Sequence, residues 1–341
     1  MKRPISRLLA LFLTAALLSS SVSFAQAPQG DWIGALTAAA AYVRRTVPNP
    51  QVGSVGGEWA VIGMACSGVK TDRIWYDAYL QNLTLTVAGQ KGVLSTRKYT
   101  EYARVVLALT VLGKGPRDVG GYDLLAPLED MEKTTAQGIN GAIFALLALD
   151  SGDYDAPSGL REGYLEIILS AQLPDGGWSL SGEQSDPDLT AMALQSLAPY
   201  GGDPAIQTAL SLGLARLDAL VEAGSLSTLE SYSQTVLALC ALDIQPDPDL
   251  LAQLLSFQLA DGSFSHGKGG GSDPMATEQG LCALAALARR EAGISSLYRA
   301  VETISDSSQV GDPHPLPANL VPAVLGVSPF LGLRSPSGPV K

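Results

Sequence analysis

QLPDGGWS, from Gln172 to Ser179, is followed by an Asp-Pro pair at Asp186-Pro187 and a small apolar run, TAMALQSL, from Thr190. Downstream the same marks return in the same order: QLADGSFS from Gln258, Asp273-Pro274, and TEQGLCAL from Thr277. The glutamines are 86 residues apart and the threonines 87, so this is a repeat with one inserted residue. A repeat at fixed spacing makes one structural unit recur, and it sets the architecture before any single residue is interpreted.

The small apolar run recurs six times: from Trp59, Tyr102, Asn140, Thr190, Ser233 and Thr277, at spacings of 43, 38, 50, 43 and 44 residues. These segments are apolar nearly all round and rich in Ala and Gly, which predicts helices buried on more than one side. Between them lie segments of another kind. In the clearest, from Asp203, Ile206, Leu210, Leu214, Leu217 and Val221 form one apolar stripe, with Gln207, Arg216, Asp218 and Glu222 facing away. Others begin near Asp31, Asp72, Tyr122, Ser158 and Asp247. Ser185-Asp186-Pro187, Gly202-Asp203-Pro204 and Ser272-Asp273-Pro274 each place an Asp cap before a Pro at the first helical position. Alternating strand patterns are confined to short pieces such as Leu83–Val87. The chain therefore reads as all-α, six hairpins with apolar helices inside and amphipathic helices outside. An open stack of such hairpins leaves two apolar end faces, whereas a closed ring leaves none. The pattern predicts closure.

Here the residues resemble a known family. Gln172, Gly176 and Trp178 match the Gln-x-x-x-Gly-x-Trp of the QW repeat found in squalene cyclases, protein prenyltransferases and related α/α toroids; Gln258, Gly262 and Phe264 keep it with Phe for Trp. Gln90-Lys91-Gly92 and Glu222-Ala223-Gly224 occupy the equivalent places without the aromatic residue. The resemblance implies an α/α toroid, an α6/α6 barrel, over residues 28–305. It does not imply one activity, since such rings serve cyclases, prenyltransferases, thioester domains and cobalamin carriers.

Ahead of that domain, Lys2, Arg3 and Arg7 precede an apolar run from Leu8 to Leu18 and a small-x-small site at Ala25-Gln26-Ala27. This predicts a secretory signal over 1–27, cleaved near Ala27, and a protein secreted or held at the cell surface. Residues 306–341 read as a Pro-rich tail. Beyond the signal, 19 basic residues face 33 acidic ones, a net charge of −14. Nucleic acid and anionic membrane both select a basic face, so neither is expected as partner. Membrane insertion is not expected, because no apolar run beyond the signal approaches the roughly eighteen residues a spanning helix needs. Cys66, Cys240 and Cys282 each fall within a small apolar helix, either as buried hydrophobes or with two of them paired.

The resemblance also brings candidate chemistry. Asp186-Pro187-Asp188-Leu189-Thr190-Ala191 is similar to the Asp-x-Asp-Asp-Thr-Ala segment that holds the catalytic acid of class II terpene cyclases. That implies Asp188 as a proton donor assisted by Asp186. The last family Asp is Leu189 here, and Met275 replaces Asp188 in the internal copy, so helix capping accounts for Asp186 unaided. The Asp-x-Cys zinc pattern of the prenyltransferases is missing, since Met64, Ala238 and Gly280 stand two residues before the cysteines. No metal or cofactor is expected. The Gly-rich stretch His266–Ser272 lacks the strand and the residue order of a phosphate loop.

What remains is a non-catalytic binding module. The predicted starts of the inner helices gather Trp59, Glu101, Tyr102, Asn140, Asp188, Gln234 and Glu278 at one end of the ring; with Trp178 and Phe264 these are the ligand-binding candidates. The expected partner is a small apolar or amphipathic ligand, a corrinoid being one option because exported toroids include corrinoid carriers, or another extracellular protein. A terpene cyclase-like enzyme and a structural surface module are the alternatives.

Overall fold

The computed structural model describes residues 31–302. The signal segment 1–27 and the tail 306–341 lie outside the described residues.

Twelve α-helices follow one another: α1 Trp32–Thr46, α2 Glu58–Cys66, α3 Arg73–Gly89, α4 Thr100–Val111, α5 Met131–Thr135, α6 Ile139–Ser151, α7 Leu160–Ser170, α8 Pro187–Leu197, α9 Pro204–Glu222, α10 Leu229–Ala241, α11 Pro248–Leu255 and α12 Pro274–Glu291. The even-numbered helices are the six apolar segments. Every residue of α2 is buried, as is α12 from Ala276 to Arg289. The odd-numbered helices bury one face only. Among the described residues β-structure is limited to isolated bridges. The chain is all-α.

Capping follows the residue types. Side chains of Asp186, Asp203 and Asp273 accept backbone N–H groups of α8, α9 and α12, with Pro187, Pro204 and Pro274 at the first helical position. Asp247 with Pro248 does the same for α11. Each cap satisfies donors that the first helical turn otherwise leaves unpaired.

Among the inner helices, α2 packs on α4, α4 on α6, α6 on α8, α8 on α10, α10 on α12, and α12 back on α2. Outer α1 packs on both α2 and α12 and touches α11. The first helices of the described chain are thus wedged against its last.

The paired motifs are the joints of the outer layer. The Gln172 side chain donates from Nε2 to Gly176 O (2.7 Å) and to Ala209 O of α9 (2.9 Å). Gln258 repeats this with Gly262 O (3.3 Å) and with Ala35 O of α1 (2.8 Å), so one copy joins neighbours and the other fastens the last pair to the first. The Trp178 and Phe264 amides donate to the Thr190 and Thr277 hydroxyls at 3.0 and 2.9 Å. Gly176 and Gly262 both have φ +91, and a Cβ on Gly262 would lie 2.4 Å from the Ala38 carbonyl oxygen. The left-handed conformation and this close approach both call for glycine.

After α12 the chain folds back under the ends of the inner helices. The Cys66 thiol of α2 donates to Leu297 O (3.2 Å), Val301 N donates to Val111 O of α4 (3.0 Å), and Arg299 pairs with Asp153, just past α6. Residues 293–301 form a floor at the end where inner helices finish. A hollow of about 410 Å³ remains between this floor and the ends of α6, α8 and α10.

Several expectations differ from the structure. Leu83–Val87 belongs to α3, its alternation continuing a helical stripe. The outer element expected near Tyr122 is a 3-10 turn, Ala126–Glu129, and the five-residue α5, anchored by the fully buried Leu124, Leu125 and Leu128. Asp218, expected to face away, is buried. All three cysteines are free and buried, and the desolvation of burial pushes the Cys66 thiol up to about 11 and Cys240 to about 12.

Candidate functional site

The end where the inner helices begin is built differently from the floor. α2 opens with Glu58, a carboxylate without solvent exposure. It accepts from the Gly53 amide (3.1 Å to each oxygen), the Tyr79 hydroxyl (3.1 Å) and Arg104 Nε of α4 (2.8 Å). Burial raises its pKa, with Arg104 acting in the opposite sense. Across the seam, Glu278 of α12 accepts from the Gly56 amide at 2.8 Å through Oε1 while Oε2 has no partner. Burial, with the Glu58 charge adding to it, pushes this carboxyl up to about 7. Two buried carboxyls from two helices therefore clamp the loop around Gly53–Gly56.

On the next three inner helices one register faces open space. Thr100 and Arg104 of α4, Asn140 and Phe144 of α6, and Asp188 and Met192 of α8 are all half-buried i, i+4 pairs. From Gly141 to Leu149 of α6 only Phe144 is not fully buried, and from Leu189 to Leu197 of α8 only Met192. Each is an apolar side chain kept partly uncovered in mid-helix with buried neighbours on both sides, and the two form a partly uncovered apolar wall on neighbouring helices. Phe144 packs on Trp59 of α2, ring centroids 6.1 Å apart, although α4 lies between these helices in the packing order. The two aromatic rings thus meet inside the inner layer.

Asp188 heads this wall on α8. Burial raises its pKa; the Ser231 hydroxyl and His266 work against that, and Asp186 and Glu230 add to it. Its Oδ1 and Asn140 Oδ1 are buried without partners. His266 itself is exposed; its Nδ1 lies 2.9 Å from Glu230 Oε2, and that contact raises the imidazole pKa. Deeper in, three buried amides form a ladder across α8, α10 and α12: Gln195 Nε2 donates to Gln234 Oε1 (2.9 Å) and Gln234 Nε2 to Gln279 Oε1 (3.0 Å).

The nine residues singled out from the sequence divide accordingly. Trp59, Asn140, Asp188 and Glu278 belong to this end, and Gln234 to the ladder beneath it. Tyr102 and Glu101 do not face inward. The Tyr102 hydroxyl accepts from Leu94 N (3.0 Å), its ring packs on Tyr99, and Glu101 lines a surface hollow with Gln90 and residues 93–98. The α4 residue that turns inward is Arg104. Trp178 and Phe264 are fully buried in the outer joints, where Trp178 Nε1 donates to Ile168 O at 2.7 Å. Asp186 caps α8, its Oδ1 accepting from Leu189 N at 2.9 Å. Glu58, Arg104, Phe144, Met192, Gln195 and Gln279 escaped the sequence reading; the signal for the second to fourth was the shared i+4 register from the first turns of α4, α6 and α8.

This end sets the half-buried Asn140 and Asp188 one turn above the partly uncovered Phe144 and Met192. Among the described residues no group of three or more His, Cys, Asp or Glu side chains is placed to hold a metal ion, and no helix is long and apolar enough to cross a membrane. No protein-family model and no curated protein matches the chain.

Proposed function

We propose that the six helical pairs close into an α/α toroid that works outside the cell as a non-catalytic binding cup. The floor 293–301 covers one end, so a small ligand enters where the inner helices begin. The observation carrying this reading is the partly uncovered pair Phe144 and Met192 in mid-helix on α6 and α8, with Trp59 against Phe144, one turn below the half-buried Asn140 and Asp188.

The test is equilibrium binding to a panel of corrinoids, isoprenoids and glycans, with Phe144→Ala as the site variant. Micromolar binding to one class, weakened tenfold or more by that variant, is the expected outcome. Absence of binding together with turnover of a prenyl substrate sinks the proposal. Turnover is the outcome favouring the second reading, a class II cyclase-like enzyme with Asp188 as acid, which draws on the burial that raises this carboxyl's pKa. Asp188→Asn then abolishes product formation with little change in stability.

A further inference from the structure

We propose that a hollow of about 560 Å³ beside the start of α4 is a second binding site, one that takes a neutral oligosaccharide on the rings of Tyr99 and Tyr122. The turn after α3 and the segment leading into α5 wall it, and it shares no residue with the wall of Phe144 and Met192. The site stands apart from the cup, and neither depends on the other. Its volume falls within the roughly 300–1,000 Å³ usual for small-ligand sites. The surrounding backbone fixes the rings. Tyr122 exchanges backbone hydrogen bonds with Val119 (2.9 and 3.2 Å), and its ring covers Gly92, where an added Cβ would lie 2.5 Å from it. Tyr102 is buried behind them; its hydroxyl accepts from Leu94 N (3.0 Å), and its ring supports that of Tyr99, centroids 5.4 Å apart. Tyr99 and Tyr122 themselves stay half-buried.

The lining decides the ligand's class. Lys91 and Lys133 bring ammonium donors, Asp123 and Asp130 carboxylate acceptors, and Ser95 and Thr96 hydroxyls that do both. Two cations balance two anions, so a charged ligand gains no net attraction. Two of these charges are also neutralised where they stand, since Lys133 pairs with Asp130 (2.7 Å), while Asp123 holds Arg117 (2.9 Å). A sugar hydroxyl donates and accepts at once, which fits donors and acceptors interleaved around aromatic rings. A proline-rich peptide, the other usual occupant of an aromatic groove, brings carbonyl acceptors almost alone and leaves the carboxylates unmatched. The faces of a pyranose ring carry C–H groups, whose positive ends meet the negative face of a tyrosine ring. The loop Val93–Thr96 also borders an adjoining hollow of about 410 Å³, so a chain of sugars has room to continue past the first rings.

The experiment titrates the full chain with cellotriose, maltotriose and chitotriose, and with trigalacturonate and decaproline, following the amide shifts of Gly92 and Tyr122 by NMR. At least one neutral trisaccharide is expected to saturate these shifts at millimolar concentration or below, more tightly than trigalacturonate or decaproline. Tyr99→Ala is expected to weaken that sugar at least tenfold, and Tyr99→Phe to keep most of the affinity. No saturable shift with any of the three sugars, tighter binding of trigalacturonate or decaproline, or equal affinity for parent and Tyr99→Ala each overturns the assignment. Where Tyr99→Ala does not fold, Lys91→Ala and Thr96→Val, both at exposed positions, take its place, and a sugar that neither weakens overturns the assignment as well. Sugar binding that Phe144→Ala weakens and Tyr99→Ala spares overturns this site while favouring the cup, so the two readings fail separately.

Discussion

Glu278 stands one turn into α12, its Oε1 accepting from the Gly56 amide and its Oε2 buried. Burial pushes its carboxyl up to about 7 from an ordinary value of 4.5. Between those two pH values the unfolded chain has released this proton and the folded chain still holds it. Stability therefore falls as pH rises through the window, by about 3 kcal/mol at most, and is flat above it. Glu58, also raised, and His266, raised by Glu230, contribute with the same sign, so a variant is needed to isolate Glu278. The parent is expected to show a lower urea midpoint at pH 8 than at pH 5, and Glu278→Gln a flatter profile. A parent midpoint that climbs with pH across this range counts against the assignment. The sequence made Glu278 legible as a polar residue near the start of a predicted apolar helix. It could not reveal Arg104 as the inward residue of α4, because a helix apolar nearly all round does not announce which side faces the centre. Tyr102, two positions earlier, looks the better choice until the packing is known.

At the scale of elements, the paired QW-like segments act as joints. Each sets a glutamine across two backbones, a left-handed glycine against the neighbouring outer helix, and an aromatic ring under its own turn. Trp178→Ala removes a fully buried side chain and the indole donor to Ile168, an expected loss of about 3–5 kcal/mol in urea unfolding. Trp178→Phe costs less, since Phe264 fills the equivalent place in the other joint. Equal losses for the two substitutions would show that the indole bond, and not the ring's volume, sustains the joint. The repeat itself was legible, down to the Asp-Pro caps of α8, α9 and α12. Its role was not. A buried aromatic in a wall and an aromatic in a binding site are spelled alike, and only their exposure separates Trp178 from Phe144. The third outer element was also illegible: Leu124, Leu125 and Leu128 are fully buried, the first two ahead of a 3-10 turn and the third on it.

At the scale of the molecule, the circuit of inner-helix contacts returns to its start, and outer α1 packs on α12. An open stack of repeats can melt from its ends, while a closed circuit offers no end from which to begin. Urea unfolding followed by tryptophan fluorescence and by far-UV circular dichroism is accordingly expected to give coincident, single transitions. Transitions that separate would favour an open stack. The fastenings of the circuit include Gln258 to Ala35, across 223 residues of sequence, and Val301 to Val111 in the floor. Both belong to the final stretch of the described chain. During synthesis from the N-terminus, α1 and α2 therefore emerge long before their partners in α11 and α12 exist. Their apolar surfaces must stay soluble through that interval, and contacts so distant in sequence make for slow folding. The contacts that join the first described helices to the last make the youngest, half-made chain the form most in need of protection.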